Sequence, residues 1–491
     1  MTPISDPARL SKPPQAARRS AARLGLRVLV VWSALLASVS GCSDASPGGV
    51  GRSATADADG PSFVRKVPWI DRGVWLKADL HLHTRFSDGG HALEEVVRRG
   101  LANGCDVLAV TDHGDSNLTA ASHEYFAALD SARRSHPQAI LLAGLEWNVP
   151  AWKGREHATL LAPAGGDEAK LLSEFKARFD DWQRDPEPSD VPREIAAIRW
   201  LMRSAVVERT EPAIVLYNHP SRKREASFPF ADEMTKLRKA GPIVIGFEGA
   251  PGHQRAVATG AYDGKLKTID RWDPAAATIG DAWDELLLRG EDVWGATANS
   301  DFHDSDGPRA LDYAPGEFSA TWLYAPDRSA AGALAALRAG TYFAVHGAIA
   351  AEVRLQLSAA RLDRPATSGE SIRVATGEPL IATLELTIPT NDWQNAPNRI
   401  DEVELIIVSR SGTKSLVRKA PAISGPALTF PFSAPSGSSA IRARGRRKSP
   451  HGPDLMFYTN PIRIVVPGDE SSRNDEIEKS LRRDAEAGPQ Q

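Results

Sequence analysis

KADLHLH, Lys77 to His83, followed at once by TRFSDG, Thr84 to Gly89, alternates apolar and polar residues with a period of two. In a β-strand that period sets Asp79, His81 and His83 on one face and Ala78, Leu80 and Leu82 on the other. The leucines can pack beneath helices while both imidazoles face the inside or the mouth of a sheet. Either histidine alone is more often a satisfied polar residue than a ligand, so the stretch gains meaning only if the pattern returns.

It does return. VLAVTDHGD closes an apolar run with Asp112 and His113, AILLAGLEW closes one with Glu146, and EHATLL opens one with His157. IVLYNHP ends in His219, and VWGATANSDFHD ends in Asp301 and His303. In a parallel sheet the carboxyl ends of strands converge on one rim, so residues spread from 81 to 303 are expected to meet. Six of the twelve histidines sit at such ends, with Asp88, Glu146 and Asp301 beside them. Imidazole and carboxylate together are the ligand set of zinc, manganese or iron, and nine such groups suffice for two or three divalent ions. Three ions against three carboxylates leave an excess of about +3, less one for a bound hydroxide, which favours an anionic substrate such as a phosphomonoester; with two ions the excess is about +1.

The surrounding sequence supplies the scaffold. From Val67 to Gly347 the runs KADLHLH, VLAV, AILLAGL, AIVLYN, IVIGFE and VWGATA alternate with helical patterns. Leu93, Val96, Val97 and Leu101 mark one face of such a helix, and Gly104 is its stop. Strand, helix, strand in this order predicts an α/β domain over 67–347 with a largely parallel sheet. A helical insert is expected at 165–210, with Leu171, Leu172, Phe175, Phe179 and Trp182 on one stripe, and a loop-rich stretch at 251–280. After Gly347 the texture changes: Leu380, Ala382, Leu384, Leu386 and Ile388 alternate with Ile381, Thr383, Glu385 and Thr387, which predicts a small all-β sandwich over 348–467. The run Arg444 to Lys448 reads as a solvated hairpin tip, and 468–491, charged and poor in apolar residues, as a disordered tail.

Residues 1–41 carry six basic side chains ahead of the apolar run that starts at Val28, the layout of a secretory signal. Val39-Ser-Gly-Cys42 resembles a lipobox, which implies cleavage before Cys42, a lipid on its sulfur, membrane attachment and a place in the cell envelope. Residues 42–66 read as a flexible tether. The first 41 residues carry a net +5, so a total of −3 leaves −8 on the remainder. A chain this acidic, without a large basic block, is not expected to bind nucleic acid. Cys105 is then the one thiol besides the anchor, so no intramolecular disulfide is expected.

HLH with Asp88, then TDH, a strand-end histidine, and SDFH resemble, in order and spacing, the four motifs of the PHP (polymerase and histidinol phosphatase) superfamily. The resemblance spans about residues 70 to 347. It implies a distorted seven-stranded β/α barrel with metals at its C-terminal mouth. Carried over residue by residue, it assigns His81, His83, Glu146 and Asp301 to one ion. Glu146 bridges to a second ion that also takes His157 and His219, and Asp88, His113 and His303 hold a third. The long inserts and trailing β domain resemble the carbaryl-hydrolase branch.

These readings converge on a metal-dependent hydrolase of a small anionic ester, most simply a phosphoester, attacked by a water that two cations acidify. Two other readings remain: hydrolysis of a carboxylic or carbamate ester on the same site, and a non-catalytic surface lipoprotein whose β domain binds glycan or a partner. An apolar slot lined by Trp147, Trp152 or Phe302 favours the first of these. Arg309 and His253, which follow strand ends, are candidate catalytic groups outside the ligand set, the guanidinium to clamp a phosphoryl oxygen. Glu248 ends another apolar strand, and Asp79 and Asp112 are placed to orient the ligand imidazoles.

Overall fold

A computed structural model describes residues 60–150, 157–180, 191–223, 229–255, 262, 265–306, 310, 312–419 and 426–468. The export segment, Cys42, the tail, Trp152, Trp182 and Arg309 lie outside the described residues. No described helix is long and apolar enough to cross a membrane.

Up to residue 346 the strands are β1 (Ser62–Arg65), β2 (Val74–Leu82), β3 (Val107–Val110), β4 (Ile140–Asn148), β5 (His157–Leu161), β6 (Ile214–Tyr217), β7 (Val244–Ala250), β8 (Trp294–Ala298), β9 (Ser319–Ala325) and β10 (Tyr342–His346). The helices are α1 (Leu93–Ala102), α2 (His123–Ser135), α3 (Glu168–Phe179), α4 (Arg193–Glu208), α5 (Phe230–Ala240), α6 (Pro274–Ala277), α7 (Ala282–Leu288) and α8 (Ala330–Ala339). This is a mixed α/β fold whose sheet, in the order β10-β9-β2-β3-β4-β5-β6-β7-β8, curls into a half-barrel. Pairing is parallel within β2-β3-β4 and within β6-β7-β8, while β5 and β9 run against both their neighbours. Beyond the last strand the ends meet: His83 N donates to Phe302 O at 2.9 Å, which sets the C-terminal ends of β2 and β8 side by side.

Local sequence explains these elements. β3 and β4 are buried along their whole length, because helices cover one face and the curled sheet the other. α1 buries Leu93, Val96, Val97 and Gly100, carries Glu94 and Glu95 in its first turn, and is followed by Gly104 at φ 78°, a conformation glycine adopts without a Cβ clash.

The C-terminal strands divide between two layers. Glu352–Ala359, Ala366–Thr367, Pro379–Thr387 and Ala427–Ser433 form a four-stranded antiparallel sheet. Ser371–Arg373, Ser439–Arg447, Leu455–Thr459 and Ile462–Val465 instead extend the half-barrel sheet, Leu455–Thr459 pairing directly with β10, and Glu402–Ser409 joins through Ser439–Arg447 with Gly412–Lys419 beyond it. Leu355, Leu384 and Phe430 of one layer and Leu405, Ile441 and Phe457 of the other bury a shared second core. Two stretches differ from expectation. β1, inside the stretch read as tether, pairs with Ser371–Arg373. The run read as a hairpin tip is the end of a strand, where Arg444 pairs with Glu404 at 2.6 Å and Arg446 with Asp454 at 3.4 Å, acidic partners that the local sequence does not show.

Candidate metal centre

Common strand direction carries His81, His83, His113, Glu146, His219, Asp301 and His303 to one rim. His157 arrives differently: it is the first residue of β5, and since β5 runs antiparallel to β4, its N-terminal end reaches the rim that the other strands reach with their C-terminal ends. Register pairs it with Asn148, two residues past Glu146.

Glu146 is buried at the centre. Its Oε1 lies 3.1 Å from His81 Nε2, His157 Nδ1 and His219 Nε2, and its Oε2 3.3 Å from His83 Nε2 and 3.1 Å from His113 Nδ1. Asp301 Oδ1 is 3.2 Å from both His81 Nε2 and His83 Nε2. Half-exposed Asp88 closes the outer side, with Oδ1 3.4 Å from His83 Nδ1 and His303 Nε2 and Oδ2 3.7 Å from His113 Nε2. Four overlapping groups result, in each of which the ligand atoms lie within 4.8 Å of one another: His81, His83, Glu146 and Asp301; His83, Asp88, His113 and His303; His113, Glu146 and His157; and, at the outer edge, His253, His303 and Asp312. His113 thus stands between two groups.

Two observations test whether this donor set fits cations. His81 Nε2 and His83 Nε2, 3.1 Å apart, both face Asp301 Oδ1 at 3.2 Å and the Glu146 carboxylate at 3.1 and 3.3 Å, so two imidazoles and two carboxylates present four ligand atoms to one point. Buried His113 Nδ1 comes within 3.1 Å of Glu146 Oε2 yet makes no hydrogen bond, and it lies with Glu146 and His157 in one group of ligand atoms, so these atoms converge on a common centre. Both fit divalent ions.

The surrounding carboxylates and amides fix the ligands. Glu248 Oε1 lies 2.9 Å from His81 Nδ1 and accepts from Asn299 Nδ2 at 3.0 Å, and its Oε2 accepts from His219 N at 3.1 Å. Asn218 Nδ2 donates to Glu146 Oε1 at 2.8 Å. His303 Nδ1 is 2.8 Å from the carbonyl of Asp301. His219 and Asp301 sit in the left-handed backbone region at φ 28° and 48°, strain that the surrounding contacts hold in place. Asn218 and Asn299 were not singled out in the sequence, although each precedes a ligand in a strand-end motif. Asp79 and Asp112 do not orient imidazoles as expected: Asp79 accepts from Ser300 N and Gly316 N at 3.1 Å, and Asp112 from Thr84 N at 2.7 Å and Ser87 Oγ at 2.6 Å. Both brace loop segments instead, Asp79 because the backbones of Ser300 and Gly316 reach over its carboxylate and Asp112 because Thr84 and Ser87 do.

Electrostatics divides the histidines. Burial lowers His81 and His83, but Asp301, Glu146 and the other facing carboxylates outweigh it and raise both well above the usual imidazole value. Burial dominates at His113, pushed down to about 3, and at His157, also lowered. Against the same burial, the imidazoles hold Glu146 and Asp301 well below the carboxylate range.

His253 lies at the edge of this centre. Its Nδ1 is 2.7 Å from Asp312 Oδ1 and its Nε2 3.4 Å from Asp301 Oδ2. Trp147 and Phe302 are core residues, Trp147 Nε1 donating to Phe179 O at 3.0 Å, so neither lines an apolar slot. Cys105 is buried, and burial pushes its thiol up to about 12, away from reactivity.

Residues 79–183 match the model of the PHP domain family. The likeness to that family lies within this segment. The segment contains His81, His83, Asp88, His113, Glu146 and His157, while His219, Asp301 and His303 fall beyond it and join them through the fold. No curated protein matches the chain. Among solved structures, a two-domain Bacteroides vulgatus protein containing a predicted PHP-like metal-dependent phosphoesterase is 17% identical, with 78% of this chain and 92% of that one covered and a TM-score of 0.37. A Bifidobacterium adolescentis protein described as a metal-dependent phosphoesterase is 15% identical over 47% of this chain and 89% of its own, TM-score 0.26. A Chromobacterium violaceum amidohydrolase with bound sulfate and no metal is 19% identical over 46% and 87%, TM-score 0.25.

Proposed function

We propose that the chain is a metal-dependent phosphoesterase. His81, His83, Glu146 and Asp301 hold one divalent ion, Glu146, His157 and His219 a second, and Asp88, His113 and His303 a third. The observation that carries this reading is one buried carboxylate, Glu146, within 3.3 Å of five imidazole nitrogens on four different segments. Zinc, manganese or iron bound there would supply Lewis acidity toward a phosphoryl oxygen and lower the pKa of a bound water. The chain's own residues do the rest. Glu248 aims His81, Asn218 aims Glu146, and the depressed basicity of His113 and His157 keeps them neutral and ready to ligate. His253, oriented by Asp312, offers an N–H at the rim for an oxygen of the substrate. With Trp147 and Phe302 in the core, no observation among the described residues favours the carboxylic or carbamate ester of the carbaryl-hydrolase branch. We further propose, from residues 1–42, an exported lipoprotein of the cell envelope acting on a small anionic ester.

The test is elemental analysis of the purified chain, followed by release rates from 4-nitrophenyl phosphate and 4-nitrophenyl acetate. Two or three ions per chain are expected, with phosphate the preferred ester. Glu146→Ala should lose more than one ion and about 10³-fold or more in rate. A folded wild type that takes up no zinc, manganese or iron, or that cleaves the acetate alone, would overturn the reading.

A further inference from the structure

Beside the rim, barrel loops and C-terminal strands enclose a cavity of about 330 Å³. Arg271, Tyr313 and Phe318 line it from the half-barrel, and Trp393, Arg447 and Lys448 from the C-terminal region. Two short links tie it to the metal centre. Tyr313 follows Asp312, whose carboxylate faces His253 Nδ1 at 2.7 Å and accepts from His303 N at 2.5 Å. Arg271 Nη1 donates to the carbonyl of Gln254, the residue after His253.

The charges in this cavity are unevenly matched. Arg447 is paired with Asp392, but among the described residues neither Arg271 nor Lys448 has a carboxylate within ion-pair distance. The Arg271 guanidinium instead lies over Phe318, its Cζ 5.4 Å from the ring centroid. Tyr313, Phe318 and Trp393 pack on one another with centroids 4.9 to 5.0 Å apart and so form a fixed apolar wall beside the cations. A guanidinium held on a ring face keeps donors available for an oxyanion, and a low-dielectric wall strengthens that contact. In a chain that is acidic beyond its first 41 residues, three cations lining one concavity, Arg271, Arg447 and Lys448, set against the single lining carboxylate of Asp392, run counter to the overall charge and focus an anion there.

We propose that this cavity binds a second anionic group, carboxylate or phosphate, on the alcohol part of the ester, so that the C-terminal strands form a wall of the substrate site. The proposal rests on the phosphoesterase reading. Its test uses the full chain loaded with manganese and three series of two- to six-carbon alkyl phosphates: plain, carboxylate-terminated and phosphate-terminated. The ratio of KM for plain over anion-terminated substrate should reach about tenfold at some chain length, the size of one charge-assisted contact, and the responding series identifies the anion. Lys448→Gln and Arg271→Gln should each bring that ratio toward one, Arg271→Lys should restore part of it, and Lys414→Gln, on a strand away from the cavity, should leave it intact. Calorimetric binding of the corresponding phosphonates, which cannot be hydrolysed, gives the same ratio without turnover. If no phosphate ester is cleaved but phosphonate binding shows the charge preference and loses it in the variants, the phosphoesterase reading fails and the anion site stands. A ratio near one at every length in the wild type, or one that survives both glutamine substitutions, overturns the proposal.

Discussion

Glu146 and the five imidazoles around it pose a problem of charge that protons or cations must solve. Without cations, the buried carboxylates hold His81 and His83 protonated, which is why both are raised well above the ordinary imidazole value. Cations must displace those protons, so metal binding should release protons at neutral pH and weaken as the pH falls. Apparent affinity should change by about tenfold per pH unit for each proton displaced. Calorimetric metal titrations in two buffers of different ionisation enthalpy measure the release directly, and identical heats in both would contradict the assignment. A second residue, Asp180, lies outside the ligand set. Burial pushes it up to about 7 against the lowering effect of Asn148, and nearby Asp115 adds to the rise. Because the folded state then holds this proton more tightly than the unfolded chain, the group's contribution to stability is lost as pH rises from about 4 through 7. Asp180→Asn keeps the oxygen that accepts from Asn148 and removes the charge. It should be more stable than wild type above pH 7, by on the order of 1–3 kcal/mol, with no advantage near pH 4. Denaturant midpoints of both proteins across that range check this, and a difference independent of pH would refute it.

At the scale of elements, the strands were legible because each is a short apolar run closed by a polar residue, and β2, β3, β4, β6, β7 and β8 fall on the quoted runs. Strand direction was not. EHATLL shows an apolar strand opened by histidine, but only its pairing to β4 and β6 reveals that it runs backwards, which is how a strand's first residue reaches the rim. The supporting groups were harder to see, since Glu248 and Asn218 act through atoms that meet only once four strands are assembled. Asp79 and Asp112 misled for a related reason: alternation gives the face of a side chain but not the loop that curls over it. The loop after β7 shows how closely such segments are fitted. A Cβ on Gly252 would collide with Cβ of Asp301 and the carbonyl of Ser300. Gly252→Ala should therefore displace Asp301, costing about 1–3 kcal/mol and at least tenfold in rate, with metal content reduced. Thermal unfolding and elemental analysis test it together, and a variant with wild-type metal content would show that the loop can yield without moving the ligand.

For the molecule as a whole, the question is whether the C-terminal strands stand apart from the half-barrel. Within 58–491 the described residues group as one compact unit. The two cores interlock: Ile406, Val408, Ala440, Met456 and Tyr458 belong to the barrel core, while Ala320, Phe343 and Val345 of β9 and β10 belong to the second one. A buried ion pair crosses the same boundary. Arg442, in a C-terminal strand, reaches Asp284 of α7 through Nε at 2.9 Å and Nη2 at 2.8 Å, and its guanidinium lies over Trp283 with Cζ 4.7 Å from the ring centroid. Both partners are shielded from water, so removing one leaves the other charge uncompensated. Arg442→Met should cost on the order of 3–5 kcal/mol, and Arg442→Met with Asp284→Leu should recover most of it, since an apolar pair of similar size carries no desolvation penalty. If the half-barrel and the C-terminal strands fold together, calorimetry should show one transition for the wild type that moves as a whole in the single variant. Two transitions, with only one shifted by Arg442→Met, would instead mean that the C-terminal strands form an independent domain and that the shared sheet edge is a docking contact between separately stable parts.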